Sequence, residues 1–430
     1  MRFALKKVVI KKIAFGFLLS GLIFCLICCS RSPEDKRIQI TIWYPFGGLT
    51  GQFFNKLITE YENSHPQIDI KPVYTGGYSI TARKVITGIA TGILPEGGVI
   101  PAAPLFTGRT GNYRIQEYLN NSRDLNKDDI YPVLWDFNKF RNRICSLPFA
   151  NSTPILYYNK DLLRKAGFNP QQSPETWQQL EDMAKEISCD KNNDGNIDVW
   201  GVVISNEDWI LKSMIVQNGG QIIDSSSQKP LFNSAEAVEI MAFWQELVKK
   251  KLMPPAMHSR ARAQFLGGRA AFLLATSGMV KTFIEAADFE FGVAFVPKFN
   301  PENPYTVTVG GVSLALFPSE PVKEQTTWDF FCWLLSEEVV SRWVVQTGYV
   351  PIRKSALKSD LIQQLFSTSP QYQAAFEQIA YAQTYLHFWQ MGGMDEYLRS
   401  AIVEVELGVA SPKQVLDKAV RNLLNDIQEE

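Results

Sequence analysis

The chain has 430 residues, with 43 lysines and arginines against 44 aspartates and glutamates, a formal charge of −1. At about 150 residues per domain this length suggests two or three domains with large cores, and the charge balance excludes the basic footprint that nucleic-acid binding requires. The three histidines, His65, His258 and His387, lack ligand-like spacing and argue against a zinc site. Beyond residue 30 only Cys145, Cys189 and Cys332 remain, which allow at most one disulfide and read as buried thiols.

In chain order, Arg2, Lys6, Lys7, Lys11 and Lys12 precede the apolar run IAFGFLLSGLIFCLIC. The run is short for the ~20 residues of a membrane span, so residues 1–29 read as a secretory signal. Its end, Leu26-Ile27-Cys28-Cys29-Ser30, resembles a bacterial lipobox with Cys29 as the lipidated first mature residue. Cys28 departs from the Gly, Ala or Ser that the motif prefers, and an uncleaved anchor helix is the other reading. Either way the protein is expected to be exported and held at a membrane surface, in the periplasm or on the outer face of the cytoplasmic membrane. No second long apolar run follows.

After a polar linker at 30–37, IQITIWYP predicts a strand, GGLTGQ a turn, and FFNKLITEYENSHP a helix with Phe53, Phe54, Leu57, Ile58 and Tyr61 on one face. QIDIKPVY and SITARKVITGIATG repeat the strand and helix. The same alternation resumes with strand PILYYN and helix DLLRKAG. Thr176 is placed to cap TWQQLEDMAKEI, and Ser234 to cap AEAVEIMAFWQELVKK. Strand AAFLLATSG, helix VKTFIEAA and strand FEFGVAFVP complete a second α/β region. The last hundred residues turn helical, ending in a helix that starts at Ser411 and Pro412. Strands alternating with helices at this spacing predict parallel sheets of the α/β class.

Three candidate sites emerge. In DKNNDGNID, Asp190, Asn192, Asp194 and Asp198 fall at ligand positions of a calcium loop with Gly195 at the bend, but position twelve is Gly201 in place of glutamate. A plain hairpin turn uses the same residues. Gly311-Val312-Ser313-Leu314-Ala315 approximates the nucleophile elbow of a serine esterase, with Asp329 and His387 downstream in triad order, although VTVGGVSLALF reads as an uninterrupted strand. The third set is aromatic. Trp177, Phe243 and Trp244 sit at core spacing, whereas Tyr44, Phe46, Tyr78, Trp209, Tyr349 and Trp389 lie where strands give way to loops, several beside glycine. Asn151, Ser152, Thr276, Ser277, the Gly310-Gly311 backbone and Gln390 accompany them. Ring faces with hydroxyls and amides, and little charge, suit a neutral polyhydroxylated ligand.

Taken together, the lipobox, the WYPFGG helix, YTGGY, PFANSTPILYYNKDLLRKAGF with PETWQQL, GRAAFLLATSG, GGVSLALF, GYVPI and the helices around GVASPKQVLDKAV resemble the extracellular solute-binding proteins of ABC importers. The branch is the one that binds sugars and sn-glycerol 3-phosphate, and the resemblance covers essentially the whole mature chain. It implies an α/β, two-lobed periplasmic-binding-protein (type II) fold with a hinge and a helical C-terminal segment, one lobe from 38–150 plus 298–348 and the other from 151–297 plus 349–430. The chain is then expected to cross between lobes at Asn151-Ser152-Thr153, near Val296–Lys298 and near Gly348–Val350, with the NST bend as a ligand shelf.

The same resemblance implies a monomeric binding protein without cofactor or catalysis, which closes over a small carbohydrate and docks on permease subunits. Tyr78, Ser152, Ser277, Gly311 and Tyr349 match positions that contact glycerol phosphate in that branch. Two departures stand out. The first lobe reads IPAAPLF where the branch carries an acid, and HFWQMGGMDEYLR places Gln390 or Met391 where the branch has a phosphate-binding arginine. These shift the expected ligand toward a neutral sugar or glycosylated polyol, with sn-glycerol 3-phosphate or a glycerophosphodiester as the alternative. Arg353 and Arg399 are the arginines that could substitute.

Overall fold

The computed structural model describes residues 37–121, 125–205, 207–224, 227, 229–384 and 393–429. The signal segment with Cys29, and the stretch with His387, Trp389, Gln390 and Met391, lie outside them. Among the described residues no helix is long and apolar enough to cross a membrane.

Alternation decides the first strand pair. In β1 (Ile38–Tyr44) Ile40, Ile42 and Tyr44 are buried on one face. β2 (Ile68–Tyr74) lies parallel to it in the register Ile38 to Ile68 through Tyr44 to Tyr74. The helix Gly48–Ser64 between them buries Gly51, Phe54, Leu57, Ile58 and Tyr61, spacings of three and four that keep one stripe on the sheet. β3 (Gly97–Pro101) adds to the other edge of β1 in parallel. The short pair β4 (Lys139–Phe140) and β5 (Arg143–Ile144) forms a separate ribbon. β6 (Leu147–Ser152) completes the first sheet together with β12 (Gly310–Leu316), in the order β2-β1-β3-β12-β6. β12 is antiparallel to both its neighbours.

The second sheet has the order β10-β7-β9-β8, from β7 (Pro154–Asn159), β8 (Trp200–Ile204), β9 (Ala270–Thr276) and β10 (Phe291–Ala294). Away from the alternating β1–β2 edge, both sheets are covered on both faces. Val99, Leu314 and Leu316 face one cluster while Ile100 and Ala315 face another. In β7, Ile155 and Tyr157 face one cluster, and Leu156 and Tyr158 the opposite one. Full burial explains why these strands read as apolar runs and not as alternating ones. One cluster is common to the two sheets: Ile42, Val99 and Leu314 of the first share it with Tyr157, Val203 and Leu273 of the second.

The predicted caps form. Thr176 and Gln179 make a reciprocal capping box at the helix Trp177–Ile187, and the Ser234 hydroxyl accepts from the Ala237 N–H. Such caps are each worth about 1 kcal/mol. The helix Pro412–Glu429 begins as expected.

The chain leaves the first sheet at Ser152 and enters the second at Pro154, so the crossing falls on Thr153. The second crossing departs from expectation. Val296–Lys298 is tied to the second region, where Lys298 N–H donates to the Glu175 carbonyl and the Trp177 N–H donates to Lys298. The actual passage is Thr308–Gly310, from β11 (Val307–Thr308), paired in parallel with β13 (Ala382–Gln383), into β12. At the third passage the Val350 N–H donates to the Asn151 carbonyl, which lays it beside the first.

The helix Met394–Glu406 is pinned to the second sheet by a buried polar knot. The Glu406 carboxylate accepts from Trp244 Nε1 (2.6 Å), the Ala256 N–H (2.7 Å) and His258 Nε2 (2.9 Å), and His258 Nδ1 donates to the Ile204 carbonyl at 2.9 Å. Both imidazole nitrogens thus face acceptors, an arrangement that suits the imidazolium.

Candidate functional site

Where the two sheets' strand ends and the crossings meet, a cleft of about 850 Å³ opens. Its floor is made by Ser152 at the end of β6, Thr276 at the end of β9, Gly278, Gly310 and Gly311 at the start of β12, and Tyr349. Gly311 sits opposite Asn151 with φ of +112°, and a Cβ there would lie 2.1 Å from the Ala150 carbonyl oxygen, so glycine alone permits this strand start. Gly310 is required by a side chain: its missing Cβ would stand 2.6 Å from the Trp209 ring, which closes on the backbone there. Trp209 lines the cleft, and its Nε1 is buried without a hydrogen-bond partner.

One wall belongs to the first sheet: Pro45, Phe46 and Gly47 after β1, Tyr78 at the start of the helix Tyr78–Thr91, then Leu105 and Phe137. Phe46 is almost wholly buried, its ring tilted against those of Trp343 (5.2 Å) and Tyr349 (6.1 Å) at the edge of the cleft. The Tyr78 and Tyr349 hydroxyls are 2.6 Å apart. Burial raises the Tyr349 pKa above the ordinary range, and Tyr78, though 38% exposed as a residue, is raised as well by desolvation and by the paired Tyr349 hydroxyl. Both therefore remain protonated donors.

The opposite wall corrects the expectation of little charge. Asp208, Lys212, Arg262, Asp395 and Arg399 all line it. The Lys212 side chain is 1% exposed and reaches Asp395 at 2.5 Å and Asp208 at 3.4 Å, and Arg399 meets Asp208 at 3.1 Å. These residues come from the helices Glu207–Gln217, Ala261–Leu266 and Met394–Glu406. Sequence reasoning passed over Asp208, Lys212, Arg262 and Asp395. The available signal was Lys212 inside EDWILKSMIVQ, a lysine in a helix that is otherwise buried nearly all round.

Of the sequence-derived residues, Phe46, Tyr78, Ser152, Trp209, Thr276, Gly311 and Tyr349 meet at this cleft. Asn151 and Ser277 do not line it. Both side chains are fully buried in the crossing, where Asn151 Nδ2 donates to the Gly310 carbonyl and the Ser277 hydroxyl accepts from the Thr153 N–H. Thr153 is equally buried and bonded to Gln378, so the NST bend places only Ser152 on the cleft, and its other two side chains hold the crossing together. Trp389 and Gln390 fall outside the described residues. Arg353 is remote, buried against Asp129 at 2.9 Å, whereas Arg399 does reach the cleft.

The other candidates resolve on local grounds. Ser313 lies mid-strand in β12 and is 1% exposed, with no strand-to-helix turn to present it, and Asp329 sits on the outer side of the helix Pro321–Leu334, so the esterase elbow is not formed. In the 190–198 loop Asp190, Asn192, Asp194 and Asp198 accept the loop's own backbone N–H groups, from Gly195, Asp194, Asn196 and Lys191. Cys189 and Val199 bridge beneath them, the arrangement of a turn. Among the described residues no cluster of three or more His, Cys, Asp or Glu side chains could hold a metal.

Two sheets buried on both faces, three crossings and a cleft above them define a two-lobed solute-binding protein. The chain belongs to the bacterial extracellular solute-binding proteins, whose family description matches residues 56–374. It is the solute-binding component of an ABC importer. It is 26% identical over 406 residues to the sn-glycerol-3-phosphate-binding periplasmic protein UgpB of Yersinia enterocolitica, covering 89% of this chain and 90% of that relative. Among solved structures, an ABC substrate-binding protein from Listeria monocytogenes in complex with cycloalternan superposes with a TM-score of 0.79 at 19% identity, covering 91% of this chain and 99% of the other. UgpB from Mycobacterium tuberculosis in complex with glycerophosphocholine gives 0.78 at 18%, with the same coverage.

Proposed function

We propose that this protein captures a hydroxyl-rich solute, a carbohydrate or glycosylated polyol, in the cleft and hands it to the membrane subunits of its importer without turning it over. The observation that carries this reading is the convergence of the Trp209 face, the Tyr78 and Tyr349 hydroxyls, Ser152 and Thr276 on one opening between the sheets. Ring faces take the C–H surface of such a ligand, and fixed donors replace the water on its hydroxyls. Binding acts through differential affinity: the ligand touches both walls only when they approach, and shifting a two-state equilibrium from 1:99 to 99:1 takes about 5.5 kcal/mol. In this reading residues 38–150 with the β12 region form one lobe and β7 to β10 with the C-terminal helices the other. The protein works as a monomer, and Cys29 carries the lipid that holds it at the membrane outside the cytoplasm.

A second reading, a phosphorylated glycerol, is favoured by the three cations on the cleft wall and by the 26% identity to a relative named for sn-glycerol 3-phosphate. A thermal-shift and calorimetric screen of sugars, glycosylglycerols and glycerol phosphates tests both. A hydroxyl-rich ligand should raise the melting temperature in a dose-dependent way. If none of these classes binds the folded protein, the proposal falls.

A further inference from the structure

At the foot of the first sheet a second cavity, of about 420 Å³, lies between the starts of β1 and β2 and the carbonyl ends of two helices. Ile38 and Ile68, which line it, begin those strands, whereas the cleft opens beyond the far end of β1. One strand length, about 20 Å, therefore separates the two openings. Tyr61 and His65 reach the cavity from the last turn and the cap of the helix Gly48–Ser64. Asp329 and Trp333 reach it from the helix Pro321–Leu334, four residues apart and so on one face.

The electrostatics of this place are one-sided. The carbonyl end of a helix carries partial negative charge, which a lysine or arginine in the last turn offsets. Neither helix has a basic residue there. Asp329 adds a carboxylate near one of these ends, a placement that the helix dipole disfavours. Among the described residues it has no ion-pair partner, only the Gln325 amide donating at 2.8 Å. No lysine or arginine lines the cavity, and Arg37, next to Ile38, is held by Asp69 at 3.6 Å.

The remaining polar atoms add acceptors. His65 Nδ1 lies 2.9 Å from the Tyr61 carbonyl oxygen, which can only accept, so Nδ1 holds the proton and Nε2 keeps its lone pair. Burial first, and then the Asp329 and Cys332 charges, push the Tyr61 phenol up to about 12, so it stays a hydroxyl. Neither Nε2 nor that hydroxyl has a partner among the described residues. The rings complete the wall: His65 stacks on Tyr61 at 4.1 Å, and Trp333, half-buried, meets Tyr61 at 5.3 Å. Aromatic rings beside an unpaired carboxylate attract a cation that also has apolar surface.

We propose that this cavity is a second binding site, for a primary ammonium group carried on a short carbon chain. Asp329 and the two helix ends meet its charge, His65 Nε2 and the Tyr61 hydroxyl take its N–H groups, and Trp333 covers its chain. The site is separate from the cleft and does not depend on what the cleft binds. Such an amine is either free or the headgroup of an ethanolamine lipid. A lipid on Cys29 would hold Ile38, and the cavity with it, within about 30 Å of the bilayer.

The test titrates butylammonium into the mature chain by ligand-observed NMR, beside butanol, which keeps the chain without the charge, and ammonium chloride, which keeps the charge without the chain. Butylammonium should bind about tenfold tighter or more than either, and less tightly in 0.5 M salt. Asp329→Asn should abolish the preference while the melting temperature holds or rises, because the charge it removes has no ion partner and stands near a carbonyl end. Trp333→Phe should weaken binding in part and keep the packing. Sedimentation of the mature chain, free of lipid, with phosphatidylcholine vesicles that contain or lack phosphatidylethanolamine tells the two sources apart. Preference for the ethanolamine vesicles supports the site with a lipid-borne amine, and binding of butylammonium without that preference supports it with a free one. Butanol binding as tightly as butylammonium, a preference that survives Asp329→Asn, or no binding of the amine in either form would overturn the site and leave the reading of the cleft untouched.

Discussion

The two walls of the cleft are built on opposite plans. Among the described residues, the wall of the first sheet carries no ionisable side chain apart from the Tyr78 phenol, and it is built from the loop after β1 and from helix residues such as Tyr78, Leu105 and Phe137, with Phe46 anchored against Trp343. The wall of the second sheet is made of helix side chains in an ionic network, with a buried lysine at its centre. The first kind of wall offers shape and apolar faces that cost nothing to keep dry. The second offers direction and charge, but each group must be held by a partner, because an unpaired buried charge is expensive. The difference teaches that the first side is built almost wholly from uncharged surface, whereas the second combines charge with the Trp209 ring, which shares a helix with Asp208 and Lys212.

The largest expected effect probes the support of the charged wall. Glu406→Ala leaves the His258 imidazole and Trp244 Nε1 buried without their acceptor, and should cost about 3–5 kcal/mol in chemical denaturation. A loss under 1 kcal/mol would mean that the helix carrying Asp395 and Arg399 does not depend on this knot.

Next comes the aromatic face on the helix of the second wall. Trp209→Ala should weaken the ligand found in the screen by roughly 1–3 kcal/mol of lost aromatic contact, about fivefold to a hundredfold or more, with the fold retained. Unchanged calorimetric affinity would remove Trp209 from the site and assign its ring to packing against Gly310 alone.

A smaller effect depends on pH. Burial by itself lowers the His258 pKa, but the hydrogen bond and charge of Glu406, the Ile204 carbonyl and Glu207 outweigh it, and the pKa is raised above the usual 6.5. A group raised in the folded state contributes stability that is fully present below its unfolded pKa and is lost as pH climbs through the folded one. Unfolding free energy should therefore fall between about pH 6.5 and the folded pKa, by no more than about 1.4 kcal/mol per pH unit, and the melting temperature with it. His258→Gln should flatten that slope, and an unchanged slope would place the titration elsewhere. The smallest effect is on binding itself: Cys29→Ser should leave affinity unaltered while moving the protein from the membrane to the soluble fraction. Continued sedimentation with membranes would favour an uncleaved anchor.

How much of this was legible in the sequence follows the same division. Strand ends rich in glycine and aromatics announced Phe46, Tyr78 and Tyr349, because a glycine beside a ring marks a place where backbone must come close to something, and Trp209 was read from its place just after a strand. The helix stripes and the Thr176 and Ser234 caps were equally readable, being local. The charged wall was not. Lys212, Arg262 and Asp395 lie on three helices far apart in the chain, and nothing in spacing shows that their polar ends converge. Asn151 was misassigned for a related reason. A small amide in a bend looks the same whether it greets a ligand or, as here, fastens β6 to the Gly310 carbonyl. The second crossing was placed too early because FVPKF resembles a strand exit, and its bond to Glu175 depends on a helix start more than a hundred residues away.

The apolar cluster that Ile42 and Leu314 share with Tyr157 and Leu273 has a mechanical consequence. It runs like the spine of a book behind both covers, so prying them apart at the back would expose packed hydrocarbon on each. Opening at the front has no such penalty, and the cheapest motion is a turn about the axis through Thr153, Val309 and Val350, with the spine left shut. Substitutions in that spine should therefore alter how stiffly the covers turn before they alter what lies between them.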